Sequence, residues 1–217
     1  MTKWRVAAGA EGVSAEVDAA DGESVFVCAH GAGGNMADRS ILATSRALTA
    51  RGITVVRFNF PYREKKSGRP DRMPTLMATV AAVATRARDE LKPGWLMIGG
   101  RSMGGRAASM LAAEGFAADG LLLLAYPLHP PGKPDQLRDA HLPEIRAPVL
   151  CFNGTRDPFC TRELMNNAVG GLANWDMRWV DGADHSFHVP KSSGRTDAEV
   201  LGWIADVSAE WIRRMRA

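Results

Sequence analysis

Short apolar runs alternate with longer stretches of mixed apolar and polar residues along the chain. Six of these runs predict β-strands, and most are apolar throughout, as expected of strands that are buried on both faces of a sheet. The last run alternates apolar and polar residues, which is typical of an edge strand. The predicted strands are residues 24–30, 53–60, 95–100, 120–126, 148–154 and 175–180.

The stretches between these runs have the length and pattern of helices, at residues 38–51, 75–91, 103–114, 161–170 and 197–214. Alternating strands and helices predict an α/β fold, in which a mostly parallel twisted sheet carries helices on both faces. Residues 1–17 are expected to add an antiparallel hairpin at the sheet edge. Because no internal repeat or low-complexity linker interrupts the chain, we expect residues 1–217 to form a single domain.

Two segments depart from this alternation. Residues 61–74 form a basic, turn-rich loop in this interpretation, and residues 126–145 are too rich in proline for a long helix. Both follow predicted strands, so both would emerge at the carboxyl edge of the sheet, where α/β folds place their functional sites.

Composition and net charge limit the classes of protein to which the chain can belong. The chain has 217 residues, of which 46% are hydrophobic and 24% are charged, as in a globular protein. Its net charge of +3 is too small to indicate binding to nucleic acid or membranes. The N-terminus lacks the apolar core of a signal peptide. The chain has three cysteines, Cys28, Cys151 and Cys160, and they show no CxxC spacing. We therefore expect neither a disulfide framework nor a metal site. This use of cysteine also predicts a location in the reducing cytoplasm.

The segment GGRSMGGRA, residues 99–107, places a serine among glycines where a predicted strand meets a predicted helix. A phosphate-binding loop would need Lys and Ser or Thr after the second glycine, but Gly105 and Arg106 stand there. Gly100, Ser102 and Gly104 instead complete the GxSxG pattern of a nucleophile on a strand-to-helix turn. Close packing of helix on sheet is the alternative explanation of these glycines.

A serine nucleophile needs an acid and a histidine after later strands, in that order. Asp157 follows the strand predicted at residues 148–154, and His185 follows the strand predicted at residues 175–180. We therefore predict Ser102, Asp157 and His185 as a catalytic triad. The alternatives are His188 as the base, and Asp181 or Asp184 as the acid.

An oxyanion hole is expected from backbone amides near the nucleophile. The glycine-rich segment HGAGGN at residues 30–35 follows an early strand and has the required backbone freedom. We predict that the amides of Ala32 and Met103 form the hole. His30 is expected to brace this loop and not to take part in catalysis.

The motifs HGAGGNM, FNFPYRE, GGRSMGGR, HPPGKPDQLR, NGTRDPF and GADHSF together resemble the α/β-hydrolase superfamily. More narrowly, they are similar to its small dienelactone-hydrolase-like branch, which includes a subunit of the NSL chromatin complex and a testis-expressed protein. The resemblance implies an α/β-hydrolase fold with about eight strands and no large lid domain, and a triad at Ser102, Asp157 and His185. The predicted strand-to-helix turn of this chain carries serine at position 102, whereas typical dienelactone hydrolases have cysteine at the corresponding position.

These observations predict a serine hydrolase that cleaves an ester, thioester or lactone bond of a small substrate through an acyl-enzyme on Ser102. This chemistry needs no metal or cofactor. A non-catalytic binding or scaffold module on the same fold is the alternative. The predicted substrate pocket is open, includes Arg63, Tyr126 and His188, and has the proline-rich residues 126–145 in the position of a lid.

Overall fold

The computed structural model describes residues 2–8 and 12–217. Within these residues the strands are β1 Thr2–Val6, β2 Val13–Asp18, β3 Ser24–Ala29, β4 Ile53–Phe58, β5 Trp95–Arg101, β6 Gly120–Leu124, β7 Val149–Gly154 and β8 Trp175–Val180. They form one sheet in the order β1-β2-β4-β3-β5-β6-β7-β8. Strand β2 pairs antiparallel with β1 and β4, and the other pairs are parallel.

Six α-helices lie within the described residues: α1 Arg39–Thr49, α2 Pro61–Glu64, α3 Met73–Leu91, α4 Met103–Ala113, α5 Arg162–Val169 and α6 Asp197–Arg216. Helices α3, α4 and α5 pack on one face of the sheet, while α1 and α6 pack on the other. The α/β fold with helices on both faces is thus confirmed. So are the edge position of β8 and the N-terminal hairpin, whose connecting residues 9–11 lie outside the described residues.

The two irregular segments have different structures. Residues 61–74 are not a continuous loop, because they contain helix α2 and the start of α3. Each of these helices carries a proline in its first turn. Proline is tolerated there because the first N–H groups of a helix have no partner within the helix, so its missing N–H costs no hydrogen bond. Residues 126–145 form an irregular segment of successive turns, with hydrogen bonds from the amide of Lys133 to the carbonyl of Pro130 and from the amide of Gln136 to the carbonyl of Lys133. The segment includes one short 3₁₀ turn, Leu142–Glu144, and forms no lid domain.

No helix within residues 2–8 and 12–217 is both long enough and apolar enough to cross a membrane.

Helix α4 approaches strand β3 so closely that only glycine fits between their backbones. A Cβ atom built on Gly104 would lie 2.6 Å from the carbonyl oxygen of Ala29, and one built on Gly100 would lie 2.1 Å from the same oxygen. Gly100 also has φ +134°, which side chains disfavour. The two outer glycines of the GxSxG pattern therefore let the strand-to-helix turn sit against β3.

A buried arginine ties the antiparallel end of the sheet to the loop after β3. Arg57 on β4 is fully buried and forms ion pairs with Asp18 at 2.6 Å and Glu16 at 3.0 Å, both on β2. Its Nη1 donates to the carbonyl of Met36 at 2.6 Å. Burial alone would raise the pKa of Asp18, but hydrogen bonds from Arg57 and Ser45 hold it below its ordinary value of 3.8.

We expect Gly100→Ala to destabilise the protein by about 3 kcal/mol, because the new methyl group meets the backbone of Ala29 at a strained φ. Urea denaturation measures this loss. Gly68→Ala is the matched control, since a Cβ at Gly68 has no heavy atom within 4 Å, and it should stay within about 0.5 kcal/mol of wild type. Equal effects of the two substitutions would contradict the packing argument.

We expect Arg57→Met to lower the free energy of unfolding by about 2–4 kcal/mol at neutral pH, because it leaves two half-buried carboxylates without their cation. Folding lowers the pKa of Asp18 in the wild type, whereas burial without the cation raises it in the variant, so this difference is largest at neutral pH and shrinks as the pH falls through these two pKa values. Arg146→Met, at an ion pair whose arginine side chain is 87% exposed, should cost less than about 0.5 kcal/mol. A loss for Arg57→Met no larger than this control would overturn the expectation.

Candidate active site

Ser102 stands alone between the end of β5 and the start of α4, in a strained turn. Its φ of +49° and ψ of −116° lie in a region that residues other than glycine rarely adopt. Its amide donates to the carbonyl of Leu124 on β6 at 2.9 Å, which anchors the turn to the neighbouring strand. The serine hydroxyl thereby stands at the carboxyl edge of the sheet.

The structure brings together the three side chains that the sequence predicts as a triad. His185 Nε2 lies 2.9 Å from Ser102 Oγ, and His185 Nδ1 lies 2.7 Å from Asp157 Oδ2. The carboxylate accepts from Nδ1–H, which leaves Nε2 free to accept the serine proton. The side chain of Asp157 is fully buried and that of His185 is 22% exposed. The arrangement can therefore activate a hydroxyl that substrates reach.

Two further groups hold Asp157 in place. Its Oδ1 accepts the amide of Phe159 at 2.8 Å, and Asn153 Nδ2 approaches Oδ2 at 3.3 Å. Asn153 is fully buried at the end of β7 and also exchanges two hydrogen bonds with the backbone of Tyr126. Sequence reasoning missed Asn153. The signal that could have found it is a polar residue near the end of an apolar strand, four positions before Asp157.

The alternative acids and base have other partners. His188 is exposed and pairs through Nδ1 with Asp197 at 3.0 Å. Asp184 accepts two backbone amides of its own turn, and Asp181 accepts a hydrogen bond from the hydroxyl of Thr155. None of them contacts Ser102 within the described part of the chain.

The glycine-rich loop after β3 lies directly beside Ser102. A Cβ atom built on Gly31 would lie 3.5 Å from Ser102 Cβ. In residues 2–8 and 12–217, the amides of Ala32 and Met103 donate to no other protein group. Met103 is also the first residue of α4, so its amide belongs to the positive end of that helix. Both amides are thus free for a substrate oxygen.

His30 braces this loop. Its Nδ1 bonds to the carbonyl of Gly31 at 2.8 Å, and its Nε2 accepts the amide of Phe60 at 3.2 Å. An imidazole that donates through one nitrogen and accepts through the other is neutral. Burial lowers the pKa of His30, in agreement with this state.

A cavity of about 300 Å³ opens over Ser102 and His185. The ring of Phe159 forms part of its wall and lies 4.3 Å from the imidazole of His185, centre to centre. Arg101 also lines the cavity, and sequence reasoning did not identify it, although it occupies the position before the nucleophile. The other lining residues are Gly31, Ala32, Gly34, Asp38, Ser40 and Ile41.

The three side chains that the sequence places in the substrate pocket lie elsewhere. Tyr126 is fully buried, and its hydroxyl donates to the carbonyl of Arg138 at 3.1 Å. Arg63 donates to the carbonyl of Ser67 and lies over the ring of Tyr62. His188 faces solvent. The pocket prediction is corrected accordingly, because Tyr126 turns into the core and α2 holds Arg63 in its own turn.

Comparisons with known proteins agree with this architecture. The model of a family described as an alpha/beta hydrolase domain matches residues 22–213. Among solved structures, a serine hydrolase without a lid from Xanthomonas campestris is similar, with 21% identity and a TM-score of 0.77 over 97% of this chain and 94% of that chain. A dienelactone hydrolase from Anabaena variabilis has 18% identity and a TM-score of 0.76 over 98% and 97%.

A serine hydrolase homologue from Coxiella burnetii is similar at 18% identity, with a TM-score of 0.75 over 94% of this chain and 96% of that one. At these identities the structural likeness concerns the fold alone, whereas the family model covers most of the chain and includes all three residues of the predicted triad. The chain therefore belongs to the alpha/beta hydrolase domain family.

Proposed function

We propose that the protein is a serine hydrolase that cleaves an ester, thioester or lactone bond of a small substrate through an acyl-enzyme on Ser102. The observation that carries the proposal is the continuous hydrogen-bond chain from Ser102 Oγ through His185 to the buried Asp157. Such a chain activates a hydroxyl that is otherwise a weak nucleophile.

In the proposed mechanism, Ser102 Oγ attacks the substrate carbonyl while His185 Nε2 takes the serine proton. Asp157 holds the imidazole in the required tautomer and stabilises the imidazolium that forms. His185 then gives the proton to the leaving group, which leaves an acyl-enzyme. A water molecule, deprotonated by the same histidine, attacks the acyl group and regenerates the serine.

The proposed oxyanion hole consists of the backbone amides of Ala32 and Met103. Both donors are fixed before the substrate arrives, Ala32 by the loop that His30 braces and Met103 by helix α4. Preorganised donors of this kind stabilise the negative charge that develops on the carbonyl oxygen in the transition state.

We further propose that the protein falls in the dienelactone-hydrolase-like branch related to the NSL-complex and testis-expressed proteins, on the motifs that it shares with them. A small acyl substrate suits a cavity of about 300 Å³.

We also propose a cytoplasmic location for the protein. Cys28, Cys151 and Cys160 are buried free thiols, which is typical of proteins in the reducing cytoplasm.

A fluorophosphonate probe tests the nucleophile directly. We expect wild-type protein to be labelled at Ser102, because the probe reacts with activated serines, and mass spectrometry of the digested protein locates the label. Ser102→Ala and His185→Ala should remain unlabelled. His188→Ala is the matched control and should be labelled as fast as wild type, because His188 lies outside the cavity. A folded wild-type protein that resists the probe would favour a scaffold function.

Substitution of the acid tests the tautomer argument. We expect Asp157→Asn to lower kcat for 4-nitrophenyl butyrate by about 10³- to 10⁴-fold, since the amide cannot hold Nδ1–H of His185 as a carboxylate does. Asp181→Asn is the matched control and should leave kcat unchanged. A loss of less than about tenfold in Asp157→Asn would remove Asp157 from the mechanism.

A further inference from the structure

Arg101 carries a buried positive charge that no carboxylate contacts within the part of the chain that the structure describes. The residue is 8% exposed, its Nη2 donates to the backbone carbonyl of His185 at 2.8 Å, and its guanidinium lies over the ring of Phe187. Among the described residues, no carboxylate oxygen lies within 4.0 Å of its nitrogens. A buried ion without a partner is unfavourable for folding, so its presence at a catalytic cavity calls for a functional explanation.

The guanidinium remains charged at neutral pH. Burial lowers the pKa of Arg101 from its ordinary value of 12.5. Arginine nevertheless keeps its proton in proteins, because the guanidinium charge is delocalised. The cavity wall therefore holds a permanent cation.

The carboxylates nearest to this cation are engaged with other groups. Asp38, which also lines the cavity, accepts the backbone amide and the side-chain amide of Asn35, at 2.9 and 2.7 Å. Asp157 accepts from the imidazole of the proposed triad. Asp184 accepts two backbone amides of its own turn. These groups lower the electrostatic cost of the buried charge at a distance, but none of them hydrogen-bonds to it.

The unused donors of Arg101 are not sealed off from solvent, and the residue lines the cavity. Its Nε and Nη1 groups donate to no atom of the described residues and are accessible to solvent. Arg101 precedes Ser102 in the chain, and both line the same cavity with Ala32. A guanidinium presents its N–H groups in a planar fork that fits a carboxylate with two parallel hydrogen bonds.

We propose that Arg101 binds a carboxylate of the substrate, so that the preferred substrates of Ser102 are esters that carry a negative charge close to the scissile bond. The proposal rests on the serine-hydrolase function proposed above. The carboxylate can belong to the acyl group or to the leaving group, and both would present the same chemistry to the guanidinium. None of the basic residues of the 61–74 segment lines the cavity.

Paired substrates measure the preference. On the acyl side, mono-4-nitrophenyl succinate is compared with 4-nitrophenyl 4-methylpentanoate, whose terminal branch matches a carboxylate in shape. On the leaving-group side, 3-carboxy-4-nitrophenyl butyrate is compared with 4-nitrophenyl butyrate. We expect Arg101→Met to lower kcat/KM for the charged ester of one pair by about 10- to 100-fold more than for its neutral partner.

Two further variants separate charge recognition from structural damage. Arg101→Lys keeps the charge but loses the fork, and it should retain part of the preference. Arg69→Met removes the same charge from an exposed loop position and should leave the ratio within each pair unchanged. Equal losses in Arg101→Met on all four esters would overturn the proposal, since they would identify Arg101 only as the residue that positions His185 through its carbonyl.

Binding without turnover distinguishes failure of this proposal from failure of the proposed function. Calorimetry of Ser102→Ala with monomethyl succinate, a stable ester that carries the carboxylate, should show binding at least about tenfold tighter than in Ser102→Ala/Arg101→Met. If the fluorophosphonate does not label Ser102 but this difference appears, the hydrolase function fails and the anion site stands. Equal binding by the two variants overturns an acyl-side carboxylate site. The site is then refuted altogether if the leaving-group pair also shows no preference.

Discussion

The close approach of helix α4 to strand β3 is the constraint on which the rest of the site depends. Because backbone meets backbone at Ala29, the chain can pass from β5 into α4 only through glycines at positions 100 and 104. The residue between them is forced into a strained conformation at φ +49°. That conformation holds the hydroxyl of Ser102 away from the helix, where an imidazole from a distant loop can reach it.

The remaining parts of the site come from separate loops, and buried polar groups hold each of them. Asn153 links β7 to the segment after β6 and hydrogen-bonds to Asp157. Arg57 donates to the backbone carbonyl of Met36, and the side-chain oxygen of Asn59 accepts from the backbone amide of the same residue. Both backbone polar groups of Met36 thus anchor the loop after β3. These side chains satisfy buried donors and acceptors that would otherwise be costly. The precision of the site therefore depends on hydrogen bonds well outside the cavity.

The sequence was sufficient to predict the sheet, its helices and the three residues that meet at its carboxyl edge. Parallel strands end at one edge, so the order of Ser102, Asp157 and His185 after successive strands implied their proximity. Side-chain direction could not be predicted in the same way. Tyr126 lies two residues after the end of β6 but turns into the core. Arg101 was missed because the partners of a buried arginine depend on residues far away in the chain, such as His185 and Phe187.

The hydrogen bonds of His30 make the stability of the glycine-rich loop after β3 depend on pH. The imidazole accepts the amide of Phe60 only while Nε2 is unprotonated. Burial lowers its pKa in the folded state, so the unfolded chain binds this proton more readily than the folded protein does. By linkage, the stabilisation is complete above about pH 6.5 and is progressively lost as the pH falls below it. Acidification is therefore expected to destabilise this loop through His30, separately from any effect on His185.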